Sequence, residues 1–334
     1  MNIKKIGMTA LAASLVSTSV FAGELAVTGS ASLTVENYSG EQVNTGKAFS
    51  MANEVNFNGS GELDNGMTVA VHFQLDEGTN SGASTTAANN LFDNHSVTVS
   101  SDALGTLVFA GHGGSTALSQ FDTTAAGDIH DNFDTQIGSA QSATATGDAV
   151  VQSTAGGNNI LLYTLPSIVD GLGISASYTP QGGSDEASTA YGLTYSGVEG
   201  LTVSYAVGDN NAAAGTTNNA DVTTMKASYA YGPITVAYSD HEFDSATAAN
   251  DQDTTSYSVS YTVSDSISVT YGTEEIAMPG VTDDVDAEFS KLSVAYTAGG
   301  MTISASQQEA ENISYSTTST EDQDYWSLGL SFAF

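Results

Sequence analysis

The stretch from 112 to 157 gathers side chains able to do chemistry: Asp122, Asp128, His130, Asp131 and Asp134, with Asp148 further on. Carboxylates and an imidazole so close together can move protons, hold a hard cation, or charge a narrow passage. The wider sequence argues against the first option. His72, His95, His112, His130 and His241 show no H-E-x-x-H or comparable spacing, so no metal centre of the zinc type is expected. No G-x-S-x-G elbow or phosphate-binding glycine loop is present. Without an Asp–His or Ser–His pair fixed on rigid elements, no enzymatic activity is expected. The acid runs "DDVD" (283–286) and "DQD" (251–253) offer the oxygen ligands that Ca²⁺ or Mg²⁺ take, but match no EF-hand or glycine–aspartate repeat. A solvated loop is the plainer reading and a loop-bound Ca²⁺ or Mg²⁺ the alternative; no cofactor is expected.

The elements that must position these residues are strands. "MTVAVHFQL" puts Met67, Val69, Val71, Phe73 and Leu75 on one parity, with Thr68, Ala70, His72 and Gln74 opposite. The same period of two returns in "LAVTGSASLTV", "LGISASY", "LTVSYAV", "ITVAY", "YSVSYTV", "ISVTY" and "LSVAY", and a helical period nowhere at comparable length. In each, one parity is oily and the other is Ser, Thr, Gly or Ala. Short turns ("LDNG", "DALG", "VDG", "GVEG", "YGP", "SDS", "AGG") alternate with long polar loops near 37–47, 77–93, 112–157, 180–188, 209–220, 241–254, 275–287 and 307–322. That alternation joins about sixteen strands as neighbours, the layout of a transmembrane antiparallel up-and-down β-barrel. Charge is nearly absent from the strands and is assigned to the long loops. Tyrosines recur near strand ends (Tyr163, Tyr178, Tyr195, Tyr205, Tyr238, Tyr271, Tyr296), as in an interfacial girdle. A soluble β-sandwich shares the period, so a secreted or surface-layer β-protein binding partners or divalent cations through its acidic loops is the competing reading.

Composition narrows the setting. The chain has Lys+Arg 5 against Asp+Glu 38, no cysteine and a formal charge of −33. Lys4 and Lys5 precede "IGMTALAASLVSTSVFA", which reads as a signal peptide over 1–22, cut after Ala22, ahead of a barrel domain over 23–334. Beyond it the only cations are Lys47, Lys226 and Lys291, and there is no arginine. Nucleic acid is excluded as a partner, since phosphate binding needs clustered Lys and Arg. The closing segment "YWSLGLSFAF" keeps Trp326, Leu328, Leu330, Phe332 and Phe334 on one parity up to the last residue. A barrel explains this, because the last strand must pair with the first to leave no open edge in lipid.

The order and spacing of several segments resemble the general porins of Gram-negative outer membranes. They are "NEVNFNGSGELDNGMTVAVHFQLDEGT", "LGTLVFAGHGG", "NNILLYTLPSIVDGLGISASY" and "SLGLSFAF". The resemblance implies short periplasmic turns, long extracellular loops, and a water-filled channel for small hydrophilic solutes and ions. It also implies a homotrimer embedded in outer-membrane lipid, and a third long loop folded into the lumen. By the same resemblance that loop's Asp122, Asp128, His130, Asp131 and Asp134 line a constriction, although acids there also face outside water or cap local turns. Trp326, Phe332 and Phe334 belong to the closing strand, whose terminal Phe is read during assembly. Relatives set arginines on the wall opposite the loop; this chain reads "FAGHGG" and "NNILLY" at those places. Lys47, His72, Lys226 and Lys291 are the expected pore-wall residues, and three lysines cannot balance the acids. The expectation is a cation-preferring pore.

Overall fold

A computed structural model describes residues 25–40, 46–77, 92–121, 123–133, 158–180, 187–210, 220–246, 248, 251–278, 285–313, 315, 317 and 322–334. The leader assigned to 1–22 lies outside them. Sixteen strands form one closed sheet. They are β1 (Ala26–Gly40), β2 (Gly46–Glu62), β3 (Thr68–Glu77), β4 (Asn94–Ser101), β5 (Gly105–His112), β6 (Ile160–Thr164), β7 (Leu172–Thr179) and β8 (Ser188–Val198). The second half is β9 (Leu201–Asn210), β10 (Ala220–Tyr231), β11 (Ile234–Ser245), β12 (Gln252–Ser264), β13 (Ile267–Ala277), β14 (Ala287–Ala298), β15 (Met301–Glu311) and β16 (Gln323–Ala333). Each strand pairs antiparallel with its neighbours in sequence, and β1 pairs with β16.

Alternation sets which side is wet. The oily parity points outward: Phe49, Met51, Tyr191, Tyr205, Tyr257, Val259, Leu292 and Leu328 all stand exposed on the outer face. A soluble protein would not leave such a surface to water, and this removes the sandwich reading. Among the described residues no helix is long and apolar enough to cross a membrane. Strands do the crossing, because closure satisfies every backbone group without an edge. At the seam, Ser30 faces Ala333 and Leu33 faces Leu330. Phe334 continues the ladder, its N–H donating to Gly29 O at 3.0 Å and its carbonyl accepting from Gly29 N at 2.8 Å. Phe332 and Phe334 stand exposed and Trp326 half-buried on the outward parity. An added Cβ at Gly29 would lie 2.6 Å from the Phe334 ring, so the absence of a side chain there lets the terminal ring lie across β1.

One expectation needs correction. The strands run past their apolar segments into residues assigned to loops, and carry acids with them. Asp209, Asp221, Glu242, Asp244, Asp253, Glu275, Glu288, Glu309, Glu311 and Asp324 all lie within strands, on the outward parity at the long-loop end. The period of two does not stop where the oil stops; beyond the apolar band the outward positions become carboxylates, which water and headgroups solvate.

Candidate functional site

The long loop after β5 enters the barrel, and its described part (113–121 and 123–133) tracks the inner wall strand by strand. The inward serines receive it. Ala117 N donates to Ser177 Oγ (2.9 Å), Ala125 N to Ser239 Oγ (2.8 Å) and Ala126 N to Ser256 Oγ (2.9 Å). Gln120 Nε2 donates to Ser175 Oγ at 2.9 Å. Inward glycines make room: a Cβ at Gly192 would lie 2.6 Å from Ala117 O, and one at Gly272 would lie 2.7 Å from Ala126 Cβ. The small parity of the strands is thus a docking track as well as a lumen lining.

Two buried clusters fix the loop at either end of this track. Ala117 and Leu118 pack against Ala190, Ala206, Val222 and Phe243. Ile129 and Phe133 pack against Ile276, Phe289, Ala310 and Tyr325, with Phe133 and Phe289 rings 5.8 Å apart. Between the clusters, Lys226 extends inward from β10 and donates to the Thr123 carbonyl.

The buried charged anchor of the loop is Glu274 on β13. Its side chain is completely enclosed, and both oxygens are taken by donors from the loop. Oε1 accepts from the Thr124 hydroxyl and from Ile129 N (2.8 Å). Oε2 accepts from His130 N (3.1 Å) and His130 Nδ1 (2.7 Å). Four donors fill the four acceptor sites of a carboxylate. Asp128, His130 and Glu274 lie close enough to suggest a metal site, but this saturation makes Glu274 a clamp on the loop. Asp128, at φ 48, closes the preceding turn, its Oδ1 accepting from Thr124 N at 2.7 Å.

Electrostatics follows from burial. Burial opposes a charge on His130, but its hydrogen bond to Glu274 and the nearby Glu274, Asp131 and Asp128 charges outweigh this and raise its pKa above the ordinary imidazole value. Burial pushes the Asp128 carboxyl up, against the lowering effects of the Thr124 N–H and His130.

The expected site residues fall in different places. Asp128 caps a turn, His130 is buried against the wall, and Asp131 is exposed inside the barrel. Asp122 and Asp134 lie outside the described residues. On the wall, His72 points inward with Nδ1 2.8 Å from Asn58 Oδ1. Lys291 shares the inward parity of Phe289 on β14. Lys47 does not belong to the pore wall: it shares the parity of Phe49 and Met51, which face outward. In the acid run at 251–253, Asp251 caps Ser245 N at 2.9 Å and Asp253 lies on the outer face of β12; in the run at 283–286, Asp283 and Asp284 lie outside the described residues.

Because the described loop lines the inner wall from β7 round to β16, the wall across the lumen from it is β1 to β5. That wall carries acids. Glu54 on β2 faces Asp76 on β3 in register, both inward. Gln74 Nε2 donates to Glu54 Oε2 at 2.8 Å and Asn56 Nδ2 to Oε1 at 3.3 Å, which holds the carboxylate in place. Glu36 on β1 accepts from the Tyr325 hydroxyl at 2.8 Å.

A closed sixteen-strand barrel with an apolar exterior, a polar interior and an inward loop defines an outer-membrane channel for passive diffusion. The sequence profile of the Gram-negative porins matches residues 7–296, and the chain belongs to that family. Its members are multi-pass outer-membrane barrels and channels, not enzymes. Solved structures agree in fold. A mutant of the Rh. blastica porin is 15% identical with a TM-score of 0.65, over 93% of this chain and 100% of that one. An anion-selective porin from Comamonas acidovorans is 14% identical at TM-score 0.66, with the same coverage. Salmonella typhi OmpF, solved with daunomycin, is 13% identical at TM-score 0.66, over 93% and 98%. No curated protein sequence matches the chain.

Proposed function

We propose that this porin prefers cations and that the third loop forms its constriction. The observation that carries the selectivity is the inward Glu54–Asp76 register pair on the wall opposite the loop. Fold does not decide the sign, since a structure of the same fold is described as anion-selective; wall charge must. With no arginine in the chain, the inward lysines among the described residues are Lys226 and Lys291, and Lys226 is turned onto a loop carbonyl. A narrow passage with net negative charge concentrates cations and repels anions. Reversal potential across a planar bilayer in a KCl gradient tests this; an anion-selective sign would sink it.

The trimer has its own support. Outward tyrosines of the described residues, such as Tyr163, Tyr195, Tyr229, Tyr257 and Tyr296, all lie between β6 and β14. The outer faces of β1 to β5 show Leu, Val, Phe and Met without tyrosine. Tyrosine marks a lipid–water boundary, so the bare sector is read as the face that meets other copies. Unheated gel mobility and light scattering in detergent test it; a monomer in both would remove the trimer. The exposed Phe332 and Phe334 fit a closing strand recognised during assembly.

A further inference from the structure

Most of the loop's anchors are neutral hydroxyls; the charged ones are Lys226 on the Thr123 carbonyl and the buried pair of Glu274 and His130. We propose that this pair is a proton-dependent latch that positions the constriction loop against β13, so that the steadiness of the pore follows the charge on His130. The inference rests on the reading that this loop narrows the channel.

The geometry favours a doubly protonated ring. His130 Nδ1 lies 2.7 Å from Glu274 Oε2, while Nε2 lies 3.4 Å from Asp131 Oδ1. A neutral imidazole has one N–H and can serve only one of these carboxylates; the imidazolium serves both. Every element packed around the ring contributes to the balance. The loop supplies Asp128 and Asp131, and β13 supplies Glu274. β14 supplies the Phe289 edge at 6.4 Å, with Lys291 two residues on along the same parity. β15 supplies neutral Gln308, which accepts from Asn132 at 3.0 Å. β16 supplies Tyr325, which meets Phe133 and not the ring.

The sign follows. A histidine whose pKa is raised by its partners contributes its full share below the ordinary imidazole value and loses it as pH climbs through the raised one. The latch therefore holds while the ring is protonated and loosens as pH rises. Once the ring is neutral, its remaining N–H can still serve Glu274, but the buried carboxylate loses its counter-charge and Asp131 loses its partner.

Single-channel recording of the full barrel in planar bilayers at fixed KCl, from pH 6.5 to 10, tests this. The wild type should show brief current excursions that become about tenfold more frequent across one step as pH rises, as expected for losing one charge-assisted bond. His130→Asn keeps a donor near the Nδ1 position but cannot titrate, and should show no such step. Glu274→Gln keeps the acceptor shape without the charge, and should be noisy at every pH. A wild-type record flat with pH overturns the latch, as does an unchanged step in His130→Asn. If His130→Asn gives no heat-modifiable barrel, Glu274→Gln decides: noise independent of pH supports the latch, and a wild-type step overturns it. Reversal potentials on the same membranes report selectivity separately, so an anion-selective pore with an intact His130-dependent step would refute only the cation preference.

Discussion

Neutralising the acidic wall should change selectivity without changing the size of the hole. Glu54→Gln with Asp76→Asn removes two inward charges and preserves shape; at position 54 the amide oxygen can still accept from Gln74. A carboxylate about 7 Å from a passing ion contributes about 0.6 kcal/mol in water, and roughly half that after screening at about 0.1 M salt. Because it attracts K⁺ and repels Cl⁻ equally, the difference between the two ions is again about 0.6 kcal/mol per carboxylate, close to threefold in the permeability ratio. Two carboxylates give roughly sevenfold to eightfold, and low-dielectric walls increase this. The assay is the zero-current potential in a tenfold KCl gradient, with conductance at symmetric high salt as the control for pore size. An unchanged potential, or one shifted further toward cations, would show that these residues do not set the selectivity.

Three further outcomes test the architecture. Gly192→Val places its Cβ 2.6 Å from the Ala117 carbonyl and 2.8 Å from the Phe121 ring; the barrel should still form, but the loop should lift, at a local cost of about 1–3 kcal/mol, and liposome swelling with sugars should change rate. Phe133→Ala empties a fully buried position between Phe289 and Tyr325; about 3–5 kcal/mol of loop anchorage should be lost, seen as rapid proteolysis of the loop in an otherwise heat-modifiable barrel. Deleting Phe334 removes the ring that covers Gly29 and two backbone hydrogen bonds, and the yield of folded barrel on refolding into detergent should fall several-fold.

Much of this fold could be read from the sequence because the signal is physical and repeated. Oil on one parity, small polar residues on the other, and tight turns alternating with long loops suffice to order the strands. What failed was the assumption that a strand ends when its apolar residues end. "YGTEEIA" on β13 continues the alternation, with Gly272, Glu274 and Ile276 inward and Glu275 outward; ending the strand's pattern at "ISVTY" left Glu274 without a face and concealed the clamp. Lys47 was misassigned although its parity with Phe49 and Met51 was visible. No sequence signal shows that inward serines on β7, β11 and β12 bind the loop instead of water, because that depends on the path the loop takes inside the closed barrel. The anchoring role of His130 was hidden for the same reason: its partner is 144 residues away.

The outer acids carry a last consequence for stability. Across the long-loop end of the sheet, like charges face each other in register: Asp209 with Asp221, Asp221 with Asp244, and Glu242 with Asp253. Glu275 with Glu288, Glu288 with Glu311, and Glu309 with Asp324 extend the series. Directly opposed like charges each cost about 0.2–1 kcal/mol, so the series weakens the barrel by roughly 1–6 kcal/mol at low salt. The screening length falls from about 30 Å at 0.01 M to about 3 Å at 1 M, which removes most of a repulsion acting over about 6 Å. The detergent-solubilised barrel should therefore unfold at a higher temperature as NaCl is raised from about 0.01 to 1 M, with the steepest gain at the low end. Replacing Glu288, which opposes two acids at once, by Gln should raise the low-salt midpoint and reduce the salt slope. A midpoint that is flat or falls with salt would show that these carboxylates splay apart into water and repel too weakly to matter. MgCl₂ matched to NaCl in ionic strength separates the remaining cases: equal midpoints mean screening, and a higher midpoint in MgCl₂ means that the outer carboxylates also take up the divalent ion.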